Sequence, residues 1–188
     1  MKIWYRCAVL ATALLGLSSQ ASTVTLTGPS SAAKDSIFEL VLVLDASDTP
    51  WTHPGLYVGS VTFDFDPALL AYQPPLTITS PVVLQSGPTT GSAGGHSTVT
   101  VGFSNATDHS ELGRIKFKAI GTAGSNATVG LSDPDTFIGS FISKLPVDHP
   151  FYPSFTGKTV LITAVPLPAA AWLFGCALGA LGLRRRRA

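Results

Sequence analysis

The stretch YVGSVTFDF, residues 57–65, alternates apolar side chains with small or polar ones. On an extended chain Val61, Phe63 and Phe65 project to one face, and the residues between them project to the other. This period of two predicts a strand with one face against a core and one face toward solvent. The stretch therefore indicates a β-protein whose sheets have a buried side and an exposed side.

The same alternation recurs on both sides of this stretch. Further strands are predicted at residues 22–27, 37–45, 98–103 and 114–119, with shorter ones at 77–84, 128–131, 137–143 and 158–163. Clusters of Gly, Pro, Asn and Asp predict turns at residues 28–30, 74–75, 87–95, 121–126 and 133–135. About eight to ten short strands, without a sustained helical period between the two ends, predict an all-β fold, an antiparallel β-sandwich.

Charge divides the 188-residue chain into a middle and two ends. All 11 Asp and Glu lie in the middle with six of the 12 Lys and Arg, which gives this part a net charge of −5. An acidic domain lacks the basic patch that neutralises phosphates, so no nucleic-acid partner is expected. Cys7 and Cys176 both lie in the ends, so the middle has neither a disulfide nor a thiol nucleophile.

Residues 1–21 have the features of a secretory signal peptide. Lys2 and Arg6 precede an uncharged, mostly apolar run at residues 7–17. Small residues at the −3 and −1 positions predict cleavage between Ala21 and Ser22. The apolar run is too short for a retained transmembrane helix.

The C-terminus has the features of a membrane anchor. Residues 164–183 are 20 consecutive uncharged residues, which as a full helix would span roughly 30 Å. A basic cluster follows and is expected to hold the C-terminus in the cytoplasm; it consists of Arg184, Arg185, Arg186 and Arg187. The sequence thus predicts an exported domain, residues 22–164, with a C-terminal transmembrane helix.

A motif precedes this helix. Val165, Pro166, Leu167 and Pro168 are followed by AAAWLFG, residues 169–175, by a helix rich in Gly, Ala and Leu, and by the arginines. In this order the segment 165–188 resembles the PEP-CTERM sorting signal in its VPLPA variant, with Leu167 where the type motif has Glu. The resemblance implies an exosortase as processing partner and a Gram-negative bacterium that makes extracellular polysaccharide. It also implies passage from the inner membrane to the cell surface or matrix. A plain single-pass anchor is the alternative.

The segment VGSVTFDFDPALL, residues 58–70, resembles the signature of cohesin-like modules, in which a strand ends in an aromatic-Asp-Pro-x-Leu-Leu step. The strand at residues 37–45 and the GRIKF segment at 113–117 fit the same pattern, so the resemblance covers on the order of 100 residues. It implies a cohesin-like or Ig-like jelly-roll sandwich. It does not imply a particular partner, because a fold does not determine a function.

Two acidic groups are candidates for chemistry. Asp64 and Asp66 are expected on one strand face, roughly 6–7 Å apart, a separation that would suit a secreted carbohydrate-active enzyme. The alternative is a solvated outer face. Asp133 and Asp135 flank Pro134 in a predicted turn and suggest a Ca²⁺-dependent adhesion module, with a purely structural turn as the other interpretation.

Aromatic residues lie among prolines at residues 48–55 and 146–155. Trp51, Phe151 and Tyr152 either stack on sugar rings or cap the ends of the sandwich. The four histidines lack metal-binding spacing, so no metal and no cofactor is predicted. The sequence therefore predicts a non-enzymatic binding or scaffolding protein, linked to extracellular polysaccharide or to another surface protein.

Overall fold

The computed structural model describes residues 22–46, 57–135, 140–143 and 149–165. The predicted signal peptide, Trp51, and the predicted anchor from Pro166 to the arginines lie outside these residues. Within the described part, no helix is long and apolar enough to cross a membrane.

Strands dominate the described residues. They are β1 (Thr23–Thr27), β2 (Ser31–Ala33), β3 (Ile37–Asp45), β4 (Tyr57–Phe65), β5 (Leu70–Ile78), β6 (Val83–Ala93), β7 (His96–Ala106), β8 (His109–Ala119), β9 (Asn126–Ser132), β10 (Ile142–Ser143), β11 (His149–Pro150), β12 (Ser154–Thr156) and β13 (Lys158–Thr163).

These strands form two sheets. The five-stranded sheet has the order β12-β1-β3-β8-β5, and the eight-stranded sheet contains the path β11-β10-β4-β9-β13-β2. The hairpin β6–β7 extends the second sheet, because β7 pairs with the other edge of β4 and β6 pairs with β7. Pairing is antiparallel except for β1 with β12 and β13 with β2. The result is the predicted all-β sandwich.

The core lies between the two sheets and follows the period-two pattern. Along β3 and β4 every second side chain is buried, as the alternation predicts. The largest fully buried side chains are those of Tyr57, Phe63, Phe103, Phe117, Phe141, Leu40, Leu44, Leu70, Leu112, Ile115, Ile162 and Val24. Burying the apolar face of each sheet against the other is what stabilises this architecture.

The turn after β4 explains the DPALL step. The carboxylate of Asp66 accepts a hydrogen bond from the amide of Ala68 at 2.8 Å, and its carbonyl accepts from Leu69 and Leu70. This Asp-initiated turn places Leu70 in the core, where it is 1% exposed. The turn ends β4 and leads the chain into β5 in the other sheet.

Two predicted turns are wrong. Pro74 and Pro75 lie inside β5, at the point where its register against β8 shifts. Residues 87–95 were expected to form one turn, but β6 continues to Ala93 and only Gly94 and Gly95 form the hairpin turn. Edge strands tolerate Pro and bulges, because one side of the strand needs no ladder hydrogen bonds.

The strand predicted at residues 77–84 is also wrong. This segment holds the end of β5, the turn at Thr79–Val82 and the start of β6. Its apolar residues resemble one short strand, but they come from two strands in different sheets. The buried side chain of Val82 closes the sandwich between them.

Candidate binding surfaces

Asp64 and Asp66 are each engaged in local contacts. Asp64 projects outward from β4, and its Oδ1 lies 2.6 Å from Nδ1 of His96 on β7. Asp66 follows the strand end and accepts the hydrogen bond of its own turn. Neither carboxylate lines the depression or the groove described below. Neither of these two spaces therefore supports the enzyme hypothesis.

Asp64 changes the titration of His96. Its hydrogen bond and its negative charge raise the pKa of the imidazole, and the more distant charge of Asp66 adds to the rise. Both side chains of the close pair are about half exposed, at 52% and 41%. The contact is thus an accessible pair at the edge of an outer sheet surface.

The outer surface of the eight-stranded sheet is built from hydroxyls and glycines. We call its central part the serine–threonine face: Ser86, Thr89, Gly91, Thr98, Thr100, Gly102, Ser104, Ser60, Thr62, Asp64, Thr128, Gly130 and Ser132. On β4, β7 and β9 these residues alternate with buried side chains. On β6, the members of the face pair with members on β7: Ser86 with Gly102, Thr89 with Thr100, and Gly91 with Thr98. Within this set Asp64 is the one charged side chain.

Hydroxyl pairs connect neighbouring strands along this surface. Oγ1 of Thr62 and Oγ1 of Thr100 lie 2.8 Å apart across β4 and β7. Oγ1 of Thr128 on β9 lies 2.9 Å from Oγ1 of Thr159 on β13. Such cross-strand hydroxyl pairs support the sheet locally and leave lone pairs and protons that a partner can use.

A shallow depression lies in the serine–threonine face. It has a volume of about 320 Å³, and Ser60, Ser86, Ser104 and Ser140 all contribute to its wall. Gly102 keeps it open, because a Cβ at this position would overlap Oγ of Ser86 and lie 3.2 Å from Oγ of Ser60. The depression is therefore uncharged and rich in hydroxyl groups.

The outer surface of the five-stranded sheet is chemically different. Arg114 donates to Glu111 at 2.6 Å and to Glu39 at 3.0 Å, which joins β8 to β3. Nζ of Lys118 lies 3.7 Å from Oδ1 of Asp35 on the same side of the domain. The two outer surfaces thus differ: the first carries several charged side chains, most of them in ion pairs, whereas the second consists mainly of neutral hydroxyls with Asp64 as its one charged side chain.

The predicted aromatic contact residues separate in the structure. The ring of Phe151 packs edge-on against Tyr57 at 5.3 Å and against Phe141 at 5.6 Å, so it caps one end of the core. Phe155 joins the same cluster through Phe141 at 5.7 Å. Tyr152 is 71% exposed and remains available for contact.

The Asp133-Pro134-Asp135 segment is a structural loop in the described residues. Oδ1 of Asp133 accepts the amide of Asp135, and Oδ2 accepts the amide of Ser140, both at 2.9 Å. Ser140 in turn exchanges two 3.0 Å hydrogen bonds with the backbone of Ser60. Among the described residues no group of three His, Cys, Asp or Glu could hold a metal ion.

Sequence reasoning missed the serine–threonine face. Ser86 and Thr89 belong to a segment that was predicted to be a turn, and Ser140 joins β4 from 80 residues away. The alternation in β4 and β7 does indicate that their hydroxyl side chains point outward. What the one-dimensional pattern lacked was the order in which the strands lie side by side.

The fold is a cohesin-like β-sandwich. No protein-family model and no curated protein matches the sequence. The structure is similar to a cohesin module from the family 33 glycoside hydrolase of Clostridium perfringens, with a TM-score of 0.58, 9% identity, and coverage of 77% of this chain and 98% of that one.

Two further solved structures are similar. One chain of the CaDoc0917–CaCohA2 complex matches with a TM-score of 0.50 at 8% identity, covering 76% of this chain and 99% of that one. The non-cellulosomal cohesin of the archaeon Archaeoglobus fulgidus has a TM-score of 0.48 at 14% identity, over 80% and 96% of the two chains. At these identities the likeness concerns the fold.

Proposed function

We propose that the chain is a non-catalytic binding or scaffolding protein whose serine–threonine face receives another surface protein. The observation that carries the proposal is the chemical contrast between the two outer sheet surfaces. One surface has its charges paired with each other, as in the Arg114 network. The other offers a broad neutral area with the depression around Gly102.

Desolvation favours the neutral surface as an interface. Burying an ion pair removes water from both charges, and this cost can exceed the attraction between them. Hydroxyl groups lose less on burial, and each can rotate to donate or to accept a hydrogen bond. A similar fold occurs in the two-protein CaDoc0917–CaCohA2 complex, which supports a protein as the partner.

A charge placed in the face tests this proposal. Thr100→Arg introduces a cation next to Thr62, at the centre of the serine–threonine face. The matched control is Thr25→Arg on β1 of the five-stranded sheet. Thr25 lies between the buried Val24 and Leu26, on the outer side of that sheet, and pairs with Val43 of β3. The measurement is crosslinking of the full chain in its host, followed by identification of the crosslinked protein and by its affinity for each purified variant.

The expected result is a loss of affinity of at least about tenfold for Thr100→Arg, with Thr25→Arg within about twofold of the unchanged protein. If Thr25→Arg abolished binding and Thr100→Arg did not, the partner would contact the other sheet and the assignment of the face would be wrong.

We also propose that the chain is exported and sorted. Cleavage between Ala21 and Ser22 would leave the sandwich to fold outside the cytoplasm, and an exosortase would process the tail at Val165–Pro168. The strand content of residues 23–163 supports a domain between these two points. Ser22 is buried, at 9% exposed, where its carbonyl accepts from the amide of Ser154, whereas Val165 is 58% exposed. A link to extracellular polysaccharide follows from the resemblance of the tail.

Cell fractionation tests the sorting proposal. The intact chain is compared with a variant that lacks residues 165–188 and with one in which Pro166 and Pro168 are both alanine. We expect the intact chain at the surface at a lower mass than its precursor, and the double-alanine variant retained in the inner membrane at precursor mass. Identical mass and location for the intact chain and the double-alanine variant would rule out recognition of the motif.

A further inference from the structure

A groove opens along the free edge of the sandwich, between the start of β5 and the distal half of the β6–β7 hairpin. The two sheets end here with different strands, β5 in one and β6 in the other. We call this space the edge groove. Its volume is about 240 Å³. It lies on the side of the hairpin opposite to the serine–threonine face.

The hairpin overhangs this groove without packing on its floor. All eleven residues of β6 are exposed, although alternate residues of the strand point toward the other sheet. Thr90, for example, pairs with the buried Val99 and lines the groove. A strand exposed on both faces is one whose inner side has no packing partner among the residues that the structure describes.

The two walls of the edge groove differ in chemistry. Pro67 and Tyr72 provide an apolar wall with ring surfaces, and the buried Phe65 contributes to the lining. Thr90 and Ser97 provide hydroxyl groups on the opposite wall. Among the described residues that line the groove, none has a charged side chain. This arrangement complements a neutral ligand with an apolar ring face and a periphery of hydroxyl groups.

We propose that the edge groove binds a single sugar ring, a neutral pyranose. The aliphatic C–H face of a pyranose fits the apolar wall, and its hydroxyls reach the threonine and serine side chains. An anionic sugar or a charged peptide would bring a charge to a site without a counter-charge, which costs free energy. The ligand class therefore follows from the two walls and from the absence of charge in the lining.

The size of the groove limits the ligand to one ring. A cavity of about 150 Å³ is enough to hold benzene, and sites for drug-sized ligands begin at about 300 Å³. The 240 Å³ of the edge groove lies between these values. A terminal residue of a glycan, or one residue of a chain that continues outside the groove, meets this limit.

This inference deepens the proposed link to polysaccharide, and the two can fail separately. A domain that held polysaccharide through another surface would keep that binding when the edge groove is blocked. A small open groove of this kind is expected to bind a free monosaccharide with a dissociation constant in the millimolar range.

The test is amide chemical-shift mapping of the full chain during titration with D-glucose, D-galactose, D-mannose and N-acetyl-D-glucosamine. Any detergent used must lack a sugar head group, and glycerol serves as the polyol control. We expect at least one sugar to shift the amides of Thr90, Ser97 and Tyr72 in a saturable way, with glycerol producing no such shifts.

Two adjacent substitutions locate the site. Thr90→Phe places a ring in the groove, whereas Thr89→Phe places the same ring on the opposite side, where Thr89 pairs with Thr100. Both positions are exposed and strand residues tolerate Phe, so both variants should fold. Sugar binding should weaken at least about tenfold in Thr90→Phe and stay within about twofold in Thr89→Phe.

Three results would overturn the proposal: no sugar shifts the groove amides, glycerol shifts them equally, or Thr90→Phe binds as well as Thr89→Phe. Cosedimentation of each variant with the host's extracellular polysaccharide distinguishes polysaccharide binding by the domain from sugar binding by the edge groove. Cosedimentation that persists in Thr90→Phe while monosaccharide shifts disappear supports both the groove and an additional polysaccharide contact. Cosedimentation without any monosaccharide shift supports the polysaccharide link and refutes the groove.

Discussion

Asp64 and His96 are in hydrogen-bond contact at the edge of the serine–threonine face, with Oδ1 and Nδ1 2.6 Å apart. They are diagonal neighbours, because Asp64 pairs directly with Thr98 across β4 and β7. His96 is the first residue of β7 after the Gly94-Gly95 turn. The tight hairpin turn therefore brings an imidazole to the one carboxylate of this face.

This contact predicts a pH dependence. A raised pKa means that the folded protein binds the proton of His96 more tightly than the unfolded chain does. The stabilisation is fully present below the unfolded value of about 6.5 and is lost as the pH rises through the higher folded value. The measurement is a pH titration of the His96 ring signals by NMR.

Asp64→Asn should lower the pKa of His96 more than Asp66→Asn does. The physical reason is that Asp64 contributes both the hydrogen bond and the nearer charge, whereas Asp66 contributes a more distant charge. Asparagine at position 66 can still cap its turn, which makes it a fair control. An equal or larger effect of Asp66→Asn would contradict the observed geometry.

The Arg114 network predicts the titration of Glu111. Arg114 and then the hydroxyl of Thr79 hold the pKa of Glu111 below its ordinary value. A lowered pKa contributes stability above the unfolded pKa, and this stability is lost as the pH falls through the folded value. Arg114→Ala should therefore raise the pKa of Glu111 and reduce the acid sensitivity of stability.

Lys116→Ala is the control, because Lys116 lies on the same strand and the same outer surface. The Glu111 carboxyl signal, followed by NMR against pH, should move in Arg114→Ala and stay nearly unchanged in Lys116→Ala. Added salt should reduce the difference in stability between Arg114→Ala and the unchanged protein, since exposed ion pairs are screened.

Replacing tyrosine by phenylalanine should affect the free energy of unfolding differently at positions 57 and 72. The hydroxyl of Tyr57 donates to Asp108 at 2.8 Å, so Tyr57→Phe should cost about 1 kcal/mol of unfolding free energy. The hydroxyl of Tyr72 is buried without a hydrogen-bond partner among the described residues. Tyr72→Phe removes this unpaired group and should leave the stability unchanged or slightly higher.

The surroundings of Tyr72 support this expectation. Burial raises the pKa of its hydroxyl, and the backbone of Leu76 offsets part of this rise. Urea denaturation of both variants is the measurement. A loss in Tyr72→Phe as large as the loss in Tyr57→Phe would show that the Tyr72 hydroxyl is paired.

Two strand glycines give a packing prediction. A Cβ at Gly59 would lie 2.8 Å from the ring of Phe141 and 3.0 Å from the ring of Phe103. Gly59→Ala should therefore destabilise the fold by about 1–3 kcal/mol through overpacking of the aromatic cluster. At Gly130 the nearest heavy atoms to a Cβ are 3.7 Å away, in Asp64. Gly130→Ala should change the unfolding free energy by less than about 0.5 kcal/mol.

The sequence predicted the fold well where a strand has one buried and one exposed side. β3 and β4 match the predicted ranges, and β13 does as well. Prediction failed at the edge strands β5 and β6, where Pro74, Pro75 and Gly87 interrupt the pattern. An edge strand can accept these residues because its outer side needs no partner, and local sequence does not reveal which strands lie at an edge.

The sequence by itself determined the alternating strands, the turn at Asp66-Pro67 and the acidic character of the middle region, because each depends on residues close together in the chain. Only the tertiary structure decided that Phe151 packs into the aromatic cap, that Asp64 pairs with His96, and that hydroxyls from β4, β6, β7 and β9 form one face. These features join residues far apart in sequence. Their positions depend on strand order and register, which the burial of both sheets' apolar sides fixes together.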